Sequence, residues 1–154
     1  MNRAVIGATI LLGGSAVAGL LWAGLDRSGP TKVSGERLER GRAIYAANCA
    51  SCHGAKLEGQ PDWKSRLPSG RLPAPPHDAS GHTWHHPDGV LFRITKEGPA
   101  AVVGGGYQSD MPGFAGVLSD EDIHAVLDFI KSTWPEREQQ YQAEMSRRER
   151  EAGQ

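Results

Sequence analysis

The feature that most constrains this chain is Cys49-Ala50-Ser51-Cys52-His53, because it contains both cysteines of the 154-residue sequence. With two cysteines, three residues apart, no disulfide framework can staple the fold. A zinc site would need two more ligands at finger-like spacing. A thioredoxin-like dithiol would want a strand–helix–strand context, which the surrounding sequence lacks. C-x-x-C-H reads instead as attachment of a c-type haem. Each thiol adds to one of the two vinyl groups along one edge of the ring, and His53 is delivered to the iron as axial ligand.

Composition agrees with a fold built around a large cofactor. Aromatic residues make up 6% and hydrophobic residues 38%, while there are 20 Gly and 10 Pro. Such a chain has a thin side-chain core, and small domains with thin cores are commonly completed by a metal or cofactor. Lys and Arg number 17 against 18 Asp and Glu, so the basic face required for nucleic-acid binding is not indicated.

The N-terminus has its own character. After Arg3 the chain is uncharged from Ala4 to Leu25, which as a helix would rise about 33 Å and span a hydrocarbon layer. Ala16-Val17-Ala18 resembles a signal-peptidase site. The apolar run nevertheless continues past it to Leu25, with Trp22 near its outer end. The expectation is a retained single-pass anchor over residues 1–25 in the cytoplasmic membrane. The remainder would then lie on the periplasmic side, as it would after cleavage. Residues 26–35 read as a polar linker.

The exported part reads as all-α. A helix is expected over Glu36–Cys49 with Ser34 as N-cap, and Gly41 within it calls for close approach of another element. Residues 54–84 are too rich in proline for long helix and show no strand alternation. A short helix is expected over Pro87–Glu97, stopped by Gly98, and a loop over Pro99–Gly116. The clearest helix is Ser119–Trp134: Ser119 caps it, acidic residues fill its first turn, and Ile123, Val126, Leu127 and Ile130 form one apolar stripe. Residues 136–154 read as a charged tail, either a solvated helix or disordered.

A second axial ligand must come from far along the chain. Met1 precedes the apolar segment and Met145 lies in the charged tail, which leaves Met111, followed by Pro112, as the well-placed thioether. His77, His82, His85 and His86 crowd a second region. They read as a haem-edge wall, a second metal site, or a source of the axial ligand.

The stretch from Leu38 to Trp134 resembles the class I c-type cytochromes. The resemblance rests on Gly41 and Tyr45 ahead of Cys49-Ala-Ser-Cys52-His53-Gly54. It also rests on Met111-Pro-Gly-Phe114 and on the last helix, whose Phe129 would face Gly41. It implies a cytochrome c domain over residues 36–135, helices wrapped around one covalent haem c, and His53 and Met111 as axial ligands. It further implies a proline carbonyl that accepts a hydrogen bond from the axial histidine, here Pro75 or Pro76. Single-electron transfer with redox partner proteins of a respiratory or related chain follows from it. A haem sensor or haem enzyme would instead need an open sixth position.

Overall fold

The computed structural model describes residues 33–153. The anchor expected over residues 1–25, and most of the linker, lie outside the described residues. Among the described residues no helix is long and apolar enough to cross a membrane.

The domain is all-helical. Helix α1 (Gly35–Asn48) is followed by a single turn, α2 (Ala50–His53). A long irregular segment then holds one 3-10 turn (Thr83–His85). Helices α3 (Asp88–Glu97), α4 (Pro99–Val103), α5 (Asp120–Ser132) and α6 (Glu136–Ala152) complete the chain. The start of α1 is set as expected, with the Ser34 side chain accepting from the Arg37 N–H. Ser119 and Asp122 form a capping box at the start of α5, each side chain accepting from the other's backbone N–H.

Helices α1 and α5 cross at Gly41. A Cβ there would stand 2.1 Å from the carbonyl oxygen of Ala125 and 2.8 Å from the Cβ of Phe129. No side chain fits, so glycine's helix penalty is the condition for this crossing. Arg37 to Asp128 and Arg40 to Asp122 pair across the same interface, each at 2.7 Å.

Eight of the nine hydrophobic residues buried among those described fall into two groups, Ala125 at the Gly41 crossing being the ninth. Tyr45, Leu57, Val126, Ile130 and Trp134 form one, beside Cys49 and Trp84. Leu91, Ile123 and Leu127 form the other, with Phe92 and Leu118 against them. The apolar stripe of α5 therefore serves both.

Two segments differ from the sequence reading. The loop expected over residues 99–116 begins with α4, one short helix bracketed by Pro99 at its first position and Gly104 at its end. Five residues are too few to show a helical period, so only these punctuating residues could have signalled it. The tail residues 136–152 form α6, and one stripe of that helix is buried: Glu138, Gln142 and Ser146. Because the stripe is polar, hydropathy gave no sign of it. Gln142 Nε2 lies 2.9 Å from Asp88 Oδ1 and 3.2 Å from the carbonyl of His86. Asp88 N–H donates to Ser146 Oγ at 3.0 Å and Gly89 N–H to Glu149 Oε2 at 2.9 Å. Helix α3, whose own N-cap is Pro87 and offers no side-chain acceptor, is capped by side chains of α6.

Candidate functional site

The site is built on the turn that follows α1. The backbone N–H groups of Cys52 and His53 both donate to the carbonyl of Cys49, so the five residues of the motif form one compact turn. Cys49 is half-buried against the first hydrophobic group, and Cys52 is exposed. No disulfide joins them. Burial, and then the neighbouring Cys52, push the Cys49 thiol up to about 11. An attacking redox thiol needs a depressed value, so Cys49 is poorly suited to that role.

His53 is buried, and its ring is held at one nitrogen. Nδ1 stands 2.8 Å from the carbonyl oxygen of Pro75. A carbonyl can only accept, so Nδ1 carries the proton and Nε2 keeps the free lone pair. Burial lowers the pKa of His53, against the opposing pull of the Pro75 bond, which keeps the ring neutral and able to ligate a metal. Of the two prolines the sequence left open, the one whose carbonyl meets His53 is Pro75. The Pro76 carbonyl is occupied elsewhere: Thr83 Oγ1 approaches it at 3.5 Å.

The Pro75–Pro76 peptide is clasped by two glycines. A Cβ on Gly59 would come within 2.4 Å of Pro76 N, and one on Gly81 within 2.0 Å of Pro76 O. The backbone adds Gly59 N–H to His53 O at 2.8 Å and Gln60 N–H to Ala74 O at 2.9 Å. Tyr45 ties α1 to the motif, its hydroxyl donating to the carbonyl of Gly54 at 2.8 Å. The irregular segment is thus a fitted collar around His53.

Met111 sits half-buried in the loop between α4 and α5, its N–H donating to Ser109 Oγ at 3.1 Å. The adjacent Asp110 pairs with Arg71, which ties the loop of Met111 to the segment that carries Pro75. The C-terminal side of the same loop is fixed by Phe114 N–H to Thr95 O and Ala115 N–H to Lys96 O, each at 3.0 Å. An open cleft of about 510 Å³ is lined by Arg66, Gly70 and residues 103–108, among others. None of Cys49, Cys52, His53 or Met111 lines it.

The other histidines pack as aromatic rings. His82 stacks on Trp63 with centroids 5.3 Å apart, and His85 on Trp84 at 3.6 Å. Among the described residues no group of three or more His, Cys, Asp or Glu side chains is placed to hold a metal ion. His77 stacks on His53 itself at 4.0 Å. Sequence reasoning placed His77 in the histidine-rich region without marking this contact, and Gly59, Gly81 and Thr83 were not singled out. Their partners lie far off in sequence, so only the proximity of Pro75-Pro76-His77 to so many glycines could have hinted at them.

The cytochrome c family model matches residues 38–134. The chain belongs to the cytochrome c family. As a class I c-type cytochrome it carries one covalent haem c and takes part in haem-based electron transfer. Over 67 residues it is 34% identical to cytochrome c-555 of Prosthecochloris aestuarii, an alignment that covers 40% of this chain and 68% of that protein. No solved structure matches it. The residues of this cytochrome fit the group on structural grounds. Two thiols and a neutral imidazole with a free Nε2 lie within one turn, and the Nδ1–H···O=C bond is the kind of outer contact that fixes a metal-binding histidine.

Proposed function

We propose that this cytochrome is a single-electron carrier of a respiratory or related redox chain. It is held at the outer face of the cytoplasmic membrane by residues 1–25. Its haem is joined to Cys49 and Cys52 and ligated axially by His53 and Met111. The observation that carries the reading is the hydrogen bond from His53 Nδ1 to Pro75 O. It selects the tautomer, fixes the nitrogen opposite the ligating one and makes the ring a stronger donor.

When bound, the haem supplies a one-electron couple. The protein's part is to keep both axial positions filled and the ligands still, so that little rearranges when the charge changes. The collar of Gly59, Pro75, Pro76 and Gly81 serves stillness on the His53 side. A thioether from Met111 would favour the ferrous state and raise the potential relative to two imidazoles. Redox partner proteins dock on the exported domain.

The test is extraction in acidified organic solvent followed by a redox titration. The haem should stay with the protein, and the Cys49→Ala, Cys52→Ala double variant should lose it. One reversible one-electron wave with a low-spin spectrum in both states is expected. A freely extracted haem, or rapid carbon monoxide binding by the ferrous form, would overturn the reading.

A further inference from the structure

His53 is pinned at Nδ1, but one hydrogen bond does not fix the plane of a ring. Carbonyl oxygens accept over a broad range of directions, so the imidazole could still turn about the Nδ1···O line. What lies against its face is the ring of His77, with centroids 4.0 Å apart and planes within 22°. His77 is itself held from several sides. Its N–H donates to Leu57 O at 2.8 Å. Its carbonyl accepts from Trp134 Nε1 at 2.7 Å. Its Nδ1 is hydrogen-bonded to the buried Thr83 Oγ1 at 2.8 Å, and the Tyr45 ring meets it edge-on at 6.2 Å. Leu57, which accepts the His77 N–H, holds a left-handed backbone (φ 66°), a conformation that a leucine keeps only where its surroundings enforce it.

We propose that His77 is a positioning residue for the axial imidazole, setting the rotation of the His53 ring about its bond to the iron. An aliphatic side chain of similar size would fill the space but present no plane. A phenyl ring would present a plane but could not bond to Thr83, the contact that stops His77 from turning. The inference rests on His53 being the axial ligand and is independent of which residue fills the sixth position.

The test uses ferric holoprotein carrying His77→Leu, His77→Phe or Thr83→Val, compared with wild type by proton NMR of the haem methyl groups. The order and spread of those resonances report the orientation of the axial ring. His77→Leu should rearrange the pattern. Thr83→Val should shift it in the same direction by less, and His77→Phe should fall between. A role in packing alone would lower thermal stability and leave the pattern unchanged at temperatures where all the proteins are folded, and that result overturns the proposal. If His77→Leu does not accumulate, an unchanged pattern in Thr83→Val overturns it. Failure of the axial assignment is separately visible: His53→Ala would then keep the wild-type low-spin spectrum.

Discussion

A Cβ placed on Gly81 would lie 2.0 Å from the carbonyl oxygen of Pro76, one residue beyond the carbonyl that holds His53. The obstacle is backbone, so it cannot rotate away, and the Pro75–Pro76 peptide would have to move. We expect Gly81→Ala to cost about 1–3 kcal/mol, the usual range for overpacking. If the shift draws Pro75 O away from His53, the imidazole becomes a weaker donor and the ferric state loses support. The reduction potential should then rise. Chemical denaturation and a redox titration on the same sample check both effects. Unchanged stability would mean that the collar is looser than its contacts imply.

Met111→Ala should open the sixth position. Exogenous imidazole or cyanide should then bind readily, the potential should fall, and the long-wavelength charge-transfer band of a ferric iron–thioether bond should vanish. Asp110→Asn should act on the same loop more gently. Arg71 and Asp110 are both exposed, with side chains 40% and 61% accessible, and exposed pairs contribute about 0–1 kcal/mol. Global stability should therefore change little, while exogenous ligand binding becomes faster as the loop is freed from the Pro75 segment. If Met111→Ala leaves the visible spectrum untouched, the sixth ligand lies elsewhere.

The extent to which sequence foretold structure follows the range of the interactions. Ser34, Ser119 and the Ile123–Ile130 stripe announce their helices because a cap or an apolar face acts within a few residues. Gly41 announces a close helix crossing because a glycine inside a helix needs a cause. The motif at Cys49 fixes its chemistry because thiols and imidazole lie within one turn. The choice between Pro75 and Pro76 was not legible. Either carbonyl could have faced His53, and the outcome depends on Gly59 and Gly81 closing on the neighbouring peptide. For residues 136–154 the sequence left helix and disorder open and gave no sign of packing, since Gln142 and Ser146 of α6 are buried through hydrogen bonds rather than through apolar contact.

That polar seam makes its own prediction. Gln142 is 4% exposed, and its amide serves both the His86 carbonyl and the Asp88 carboxylate. Gln142→Ala would leave the His86 carbonyl short of this donor in a partly buried place, at a cost of about 1–3 kcal/mol. Gln142→Leu should be no better, although it restores volume. Urea unfolding of the holoprotein measures both. If Leu rescues stability, the seam is held by packing rather than by hydrogen bonding.

Asp88 should make the same junction sensitive to acid. Burial, the largest single influence, would raise its pKa, but the Lys131 charge and the hydrogen bonds from Lys131, Gln142 and Ser146 together outweigh it, and the net direction is downward. Lys131 Nζ stands 3.0 Å from Asp88 Oδ1 and also reaches Asp128 at 3.1 Å. A carboxyl whose pKa is lower in the folded than in the unfolded chain stabilises the fold in its ionised form. That contribution is fully present above the ordinary aspartate value of about 3.9 and is lost as pH falls through the folded value. The side chain is 45% exposed, so solvent screens the Lys131 charge and the effect should be modest. The urea midpoint should therefore drop more steeply below about pH 4 in wild type than in Asp88→Asn, which keeps an acceptor for Gln142 but has no charge to lose. At neutral pH the order is the reverse of any benefit from removing a buried charge: wild type should be the more stable, because Lys131 has lost one of its two partners in the variant. Parallel pH profiles for the two proteins would show that Asp88 draws nothing from its ionisation and that the junction of α3 and α6 is held by neutral hydrogen bonds alone.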